Sequence, residues 1–285
     1  MIGDRYYYSK LPENERRIYQ EIYRGCVEHK DMIQISATED MTKSYPRLIH
    51  DYLCRNISYD YKGSDTGEVT RIITSHNVLG VFAYKKAQCE GISKAARVLL
   101  NAVDVHCIIV FGQAEGNDSV MSDHCWNIIN IEGHPYHMDI TFDIGNGSDE
   151  YIAYDYYNIT DTQIRKDHIF STGLPRCVDK EANYFVQENL VFTSKRKLEH
   201  YIAKRINDGA KMLYFKLAGR LKARELSNEL TVYTAKVFSE NKGGQKSVDM
   251  VVNELCKRNN PDATFAQLQE VFHDASLLGP DALAE

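Results

Sequence analysis

The sequence has no CxxC pair among its seven cysteines, only 6 prolines and 1 tryptophan in 285 residues, no excess of basic charge and no long apolar run. An odd number of cysteines without paired spacing argues against a disulfide framework or a zinc ribbon. Free thiols are therefore expected at Cys26, Cys54, Cys89, Cys107, Cys125, Cys177 and Cys256. The longest purely apolar stretch, Cys107 to Phe111, is too short to cross a bilayer, and Met1 to Lys10 has neither a basic nor an apolar leader region. A cytoplasmic protein is expected. With 34 basic and 40 acidic residues, the formal charge of -6 removes the electrostatic reason for binding nucleic acid or an anionic membrane. Neither partner is expected, and the oligomeric state stays open.

What is present is an ordinary globular balance, with 43% hydrophobic and 26% charged residues. Single cores stop growing at about 250 to 300 residues, so two domains are expected. A helical stripe of Ile18, Tyr19, Ile22, Tyr23 and Cys26 follows Pro12, and a second helix starts at Pro46 and runs into a strand over Ile57 to Tyr61. Lys62 to Glu68 reads as an exposed loop. From Cys89, the residues Ile92, Ala95, Ala96, Leu99, Leu100 and Val103 recur at helical spacing, and Val105 to Phe111 reads as a buried strand. A polar loop from Gln113 to Ser122 precedes a hairpin of Cys125 to Asn130 and Tyr136 to Phe142 around the turn residues Glu132 to Pro135.

The composition changes after Tyr151 to Tyr157 and the Thr172 to Pro175 turn, which divides the chain into residues 1–186 and 187–285. In the second part, Leu190 to Thr193 and Met212 to Leu217 read as short strands around a helix bearing Leu198, Tyr201, Ile202 and Ile206. Helices are expected near Leu221 to Phe238, Val248 to Lys257 and Thr264 to Leu278.

Three segments carry the chemistry: Gln88-Cys89-Glu90-Gly91, His124-Cys125-Trp126-Asn127 and Tyr136-His137-Met138-Asp139. Cys89 stands where its helix begins, so unpaired backbone N–H groups and the helix dipole favour its thiolate. Strand parity brings in the other two. A two-residue turn at Ile131-Glu132 sets His124 opposite Asp139, and one at Glu132-Gly133 makes them diagonal neighbours on the same face, whereas an even register separates them across the sheet. Trp126 shares the His124 face and is expected to wall the cleft. Asp143 has the same strand parity as Asp139 and is the next candidate orienting residue.

Blander readings exist for each residue. A free cysteine most often fills a gap between helix and sheet, and a His-Asp pair also serves as a structural hydrogen bond. Cys26, Cys54, Cys107, Cys177 and Cys256 lie in apolar or ordinary helical surroundings and read as structural. Cys125, His134 and His137 beside His124 bear ligand atoms, but neighbouring strand residues point to opposite faces, so His124 and Cys125 do not close one tetrahedral site. No metal is expected.

Cys89-Glu90-Gly91 with Ser93-Lys94-Ala95, then His124, Trp126, Asn127, Gly133, Tyr136, Asp139 and Thr141, together resemble the transglutaminase-like superfamily of papain-type folds over about residues 76 to 143. Tyr6 to Tyr8 and Asp155 to Asn158 resemble flanks of bacterial members. The resemblance implies an α+β, papain-like transglutaminase core, with a nucleophile helix packed on an antiparallel sheet, followed here by a mostly helical α/β extension. It implies Cys89 as nucleophile, His124 as general base and then acid, and Asp139 as orienter, with no cofactor. The animal crosslinking enzymes place a tryptophan upstream of the nucleophile, whereas Trp126 lies downstream, which disfavours glutamine crosslinking. Oxyanion donors are then the Cys89 backbone N–H with Gln88 or Asn77 as candidates. Three readings follow: a peptide or amide hydrolase working through an acyl-thioester, an acyltransferase using the same triad, and a non-catalytic module that binds a peptide or protein.

Overall fold

The computed structural model describes residues 45–62, 69–116, 119–148, 151–210, 212–222, 247–253 and 263–271, with isolated positions within 12–20 and 226–237. The chain divides into two compact units, Met1–Tyr184 and Phe185–Glu285. The apolar stripe from Ile18 to Cys26, the loop after Lys62, Tyr6 to Tyr8 and Cys256 lie outside the described residues.

The first continuously described stretch of the first unit begins with helix α1, Tyr45–Asn56, whose Pro46 needs no amide partner in the first turn and whose Ile49 and Leu53 are buried one turn apart. Two short helices, α2 (Val69–Ser75) and α3 (Val78–Phe82), lead to the helix that organises the unit. That helix, α4, spans Cys89–Ala102 and buries Ile92, Ala95, Ala96, Leu99 and Leu100, the face expected from their spacing. A minimal parallel pair, β1 (Ser58–Tyr59) with β2 (Lys86–Ala87), places Tyr59 beside Ala87, just ahead of the α4 N-terminus.

The main sheet is antiparallel in the order β5-β4-β3-β6, with β3 Cys107–Glu115, β4 Met121–Ile131, β5 His134–Met138 and β6 His168–Phe170. The β4–β5 register pairs Ile131 with His134 and Asn127 with Met138, so Glu132 and Gly133 form the turn. Both turn residues have positive φ, 53° and 91°, the twist that suits a two-residue hairpin, and Asn130 Oδ1 accepts the Gly133 N–H at 2.8 Å. This helix on an antiparallel sheet is the papain-like transglutaminase core. Asn127 Nδ2 donates to Ser93 O at 3.0 Å and Ser93 Oγ to Cys125 O at 3.0 Å, so the α4 face of β4 is pinned to the helix by polar contacts as well as by apolar burial.

Two boundaries differ from expectation. The strand expected over Tyr136 to Phe142 ends at Met138, because Asp139 caps a helix, α5 (Ile140–Asn146), by accepting the Phe142 N–H at 3.1 Å. The polar loop expected over Gln113 to Ser122 is shorter, since pairing runs to Glu115 opposite Met121. Alternation on an exposed strand end carries polar residues and hides it. Beyond α5 a one-turn helix, α6 (Asp161–Ile164), is closed by a capping box of Thr160 and Gln163, and a second one-turn helix, α7, spans Tyr184–Gln187.

In the second unit β7 (Val191–Phe192), α8 (Lys195–Asn207) and β8 (Met212–Leu217) form the expected strand-helix-strand arrangement, with β7 and β8 parallel. Leu198, Ile202 and Ile206 of α8 are buried, as are Leu213 and Phe215. The helices expected near Val248 to Lys257 and Thr264 to Leu278 are instead strands β9 (Ser247–Asn253) and β10 (Ala263–Val271), completing a sheet ordered β7-β8-β10-β9. Short apolar runs do not separate helix from strand by period, and β-branched Val248, Val251 and Val252 favour the strand. Among the described residues, no helix is long and apolar enough to cross a membrane.

Candidate active site

The first turn of α4 fits only because of Gly91, where a Cβ would lie 2.6 Å from Ser75 O and 3.0 Å from Asn77 O. That close approach fixes Cys89 at the head of the helix. Its thiol hydrogen-bonds with Cys125 and His124. The Cys125 hydrogen bond is the largest influence on the thiol, burial opposes it, and His124 adds a hydrogen bond and positive charge, bringing Cys89 down to about 4. Cys125 moves the other way, first through its hydrogen bond to Cys89 and then through burial, so the proton stays on Cys125 and the negative charge on Cys89.

His124 presents Nε2 to Asp139 Oδ2 at 2.6 Å, which leaves Nδ1 as the nitrogen for the thiol. Burial alone would lower the imidazole, but the charge and hydrogen bond of Asp139, joined by those of Cys89, raise it to about 10. Asp139 is fully buried. That burial opposes ionisation, yet His124 and then His168 hold the carboxyl well below the usual carboxylate range. A cleft of about 210 Å³ opens over His124 between Tyr59, Tyr61, Asp123, Thr141 and Phe142. Tyr59, brought there by its pairing with Ala87, is raised by burial first and by the charge on Cys89 second.

The structure thus brings Cys89, His124 and Asp139 together and gives the side chains of the other three candidates partners outside the triad. Asn77 caps α3, its Oδ1 accepting from Leu79 N at 2.8 Å and its Nδ2 donating to Ile73 O at 2.8 Å, so it is a helix cap and not an oxyanion donor. Gln88 directs Nε2 to Asp60 O at 3.1 Å, and its backbone N–H goes to Ser75 O. Trp126 shares the His124 face but is 1% exposed, packed with Val110, Ile128 and Ile159, and its indole donates to His137 Nδ1 at 2.9 Å. It is core, not a cleft wall, because the loops from Ile159 to Cys177 cover that face.

Sequence reasoning missed the second histidine at Asp139. β3 carries Gly112 opposite His124 and Ala114 opposite His168, and these small residues let the two imidazoles meet over the strand with ring centres 5.5 Å apart. No motif announces a three-residue strand, so parity had nothing to act on. Cys54 also proves to have a histidine partner, His50, one turn earlier on α1 at 3.6 Å. The nitrogen nearest that sulfur, Nε2, is the one bound to Asp143 Oδ2 at 3.0 Å, and burial raises Cys54, so the cluster is not a second activated thiol. It joins α1 to α5. Asp143 therefore lies a helical turn beyond Asp139, serving His50 and the Tyr156 N–H, and is not an alternative partner of His124.

Among the described residues, two groups bear ligand atoms within 4.8 Å of one another: His124, Asp139 and His168, and His137, Asp161 and Cys177. Both are closed by hydrogen bonds. His137 Nδ1 accepts from Trp126, so its proton is on Nε2, facing Asp161 Oδ1 at 2.9 Å, and burial lowers this imidazole to about 4. His134 is paired with Asp179, away from His137. The four residues His124, Cys125, His134 and His137 are not gathered at one point.

Residues 32–140 match the transglutaminase-like superfamily. No curated protein matches the chain in sequence. Similar solved structures include one described as a TGase, at 17% identity and a TM-score of 0.34, covering 46% of this chain and 34% of that one. Another is a candidate cysteine protease from Cytophaga hutchinsonii, at 18% identity and a TM-score of 0.30, covering 47% of this chain and 44% of that one. The chain spans less than half the length of either structure. The matched segment holds Cys89, His124 and Asp139, and over that segment the chain is similar to the transglutaminase-like superfamily.

Proposed function

We propose that the protein is a cysteine-dependent hydrolase of amide or peptide bonds that works through an acyl-thioester. The observation that carries this reading is the Cys89 thiol paired with His124, whose far nitrogen is held 2.6 Å from a buried carboxylate. The Cys89 thiolate attacks the carbonyl carbon, the leaving amine takes the His124 proton, and His124 then removes a proton from the water that cleaves the thioester. The leading backbone N–H groups of α4, which have no intrahelical acceptors, and the Tyr59 hydroxyl, which lines the cleft over His124, are the candidate donors to the developing oxyanion. No metal or organic cofactor enters these steps. The substrate class is a peptide or protein, and the described free thiols fit a cytoplasmic location.

The test pairs reactivity with turnover. Iodoacetamide should label Cys89 ahead of the other cysteines, with thiolate reactivity already developed at mildly acidic pH because the thiol lies at about 4. On a peptide-amide library, Cys89→Ala and His124→Ala should each abolish cleavage, and the double variant should be scarcely worse, since the two act as one unit. An added amine separates the alternatives: an amide product identifies an acyltransferase. An ordinary, poorly reactive Cys89 would favour the binding module.

A further inference from the structure

His168 occupies a position that restricts its protonation. Its Nε2 lies 3.0 Å from Asp139 Oδ2, the oxygen that also holds His124, and its Nδ1 lies 2.5 Å from Asp167 Oδ1. The side chain is fully buried. An ionised carboxylate only accepts hydrogen bonds, so a nitrogen facing one must carry a proton, and a neutral imidazole has only one N–H. Two carboxylates at two nitrogens require the imidazolium.

The surroundings agree from every side. Asp139 faces His168 from the end of β5 and Asp167 from the residue before β6. His124 lies across β3. The Tyr156 hydroxyl donates to Asp167 Oδ2 at 2.5 Å, which leaves Oδ1 to accept from the His168 ring. Trp126 and Phe142 supply uncharged ring contacts at 4.8 and 4.7 Å, and His137, the other nearby imidazole, is neutral. Burial by itself would lower His168, but the hydrogen bonds that it donates to Asp139 and Asp167 raise it.

We propose that His168 is a permanently protonated positioning residue that holds Asp139 from behind and keeps a second positive charge beside His124, so that His124 gives up its proton more readily. This inference rests on the acyl-thioester reading. Sharing Asp139 with a second cation weakens the hold of that carboxylate on the His124 proton and so favours its transfer as a general acid. During acylation the carbon–sulfur bond forms, the carbon–nitrogen bond breaks and the proton passes from His124 to the leaving amine. During deacylation water returns a proton to His124 as its oxygen joins the carbonyl carbon, and the thiolate leaves. His168 neither gains nor loses a proton in either step.

The test is nitrogen-resolved NMR of the histidines in the full chain carrying Cys89→Ala, which removes the thiolate from the titration. His168 should show both ring nitrogens protonated between about pH 5 and 8. His168→Gln, which keeps an N–H toward Asp139 without the charge, should move the His124 midpoint up by about one unit or more. Asp167→Asn leaves the ring in place but removes the anion that demands its second proton, and should move His124 in the same direction. A purely structural His168 would lower the melting temperature and leave the His124 midpoint unchanged. A singly protonated His168, or an unmoved His124 midpoint in a folded variant, overturns the proposal. If His168→Gln does not fold, Asp167→Asn and the spectrum of the Cys89→Ala parent decide. Failure of the catalytic reading shows separately, in the alkylation of intact Cys89.

Discussion

Asp139 accepts through both oxygens, Oδ1 from the Phe142 N–H and Oδ2 from His124 and His168. An asparagine there has one oxygen for these two directions, so either rotamer turns its NH₂ group toward a donor. Asp139→Asn should therefore fold, because asparagine is a good helix cap, but at a cost of about 1–3 kcal/mol for the mismatched group. Turnover should fall by about 10³- to 10⁴-fold through loss of the tautomer and of the charge facing the imidazolium. Substrate affinity should change far less. Kinetics with thermal melting check this, and undiminished turnover in a folded variant would remove Asp139 from the triad. At this scale the sequence was legible where chemistry is local. Cys89 at a helix start follows from periodicity, and His124 with Asp139 follows from hairpin parity. Gln88, Asn77 and Trp126 were misassigned because the partners that claim them, Asp60, Ile73, Leu79 and His137, depend on chain paths that spacing does not reveal.

Between elements, the site depends on how closely α4 approaches the segment before α3. Gly91 contacts backbone oxygens there, and backbone cannot turn aside as the end of a flexible side chain can. Gly91→Ala should cost about 1–3 kcal/mol by overpacking despite the better helix propensity of alanine. It should also displace the α4 N-terminus from β4, so that Cys89 alkylation at mildly acidic pH drops while a cysteine far from α4 reacts as before. A stabilised variant with unchanged Cys89 reactivity would contradict the close approach. The sequence shows α4 plainly through Ile92, Ala95, Ala96, Leu99 and Leu100, and the β4–β5 turn through Glu132-Gly133. It does not show that Asp139 stops a strand and starts a helix, since Ile140 to Phe142 continue an acceptable strand pattern. β6 is hidden because three residues have no measurable period, and with it went His168.

At the scale of the whole molecule, every residue of the proposed chemistry lies in the first unit, including Cys89, His124, Asp139, Asp167 and His168. That unit has its own core, with Ile49, Leu53, Leu79, Ile92, Leu100, Ile129 and Met138 buried, while Leu198, Ile202, Leu213 and Phe215 bury the second unit's helix against its own sheet. A unit with its own core is able to fold alone. We therefore expect a fragment of residues 1–186 to fold cooperatively and to keep the acid-shifted alkylation of Cys89, because the groups that lower this thiol, Cys125 and His124, travel with it. Circular dichroism against temperature and the pH profile of iodoacetamide labelling, compared with the full chain, measure both properties. A folded fragment whose Cys89 titrates like a free thiol, near about 8.5, would mean that residues beyond 186 hold the nucleophile helix in place. An unfolded fragment would mean that the buried area within the first unit does not by itself offset the entropy of ordering its chain.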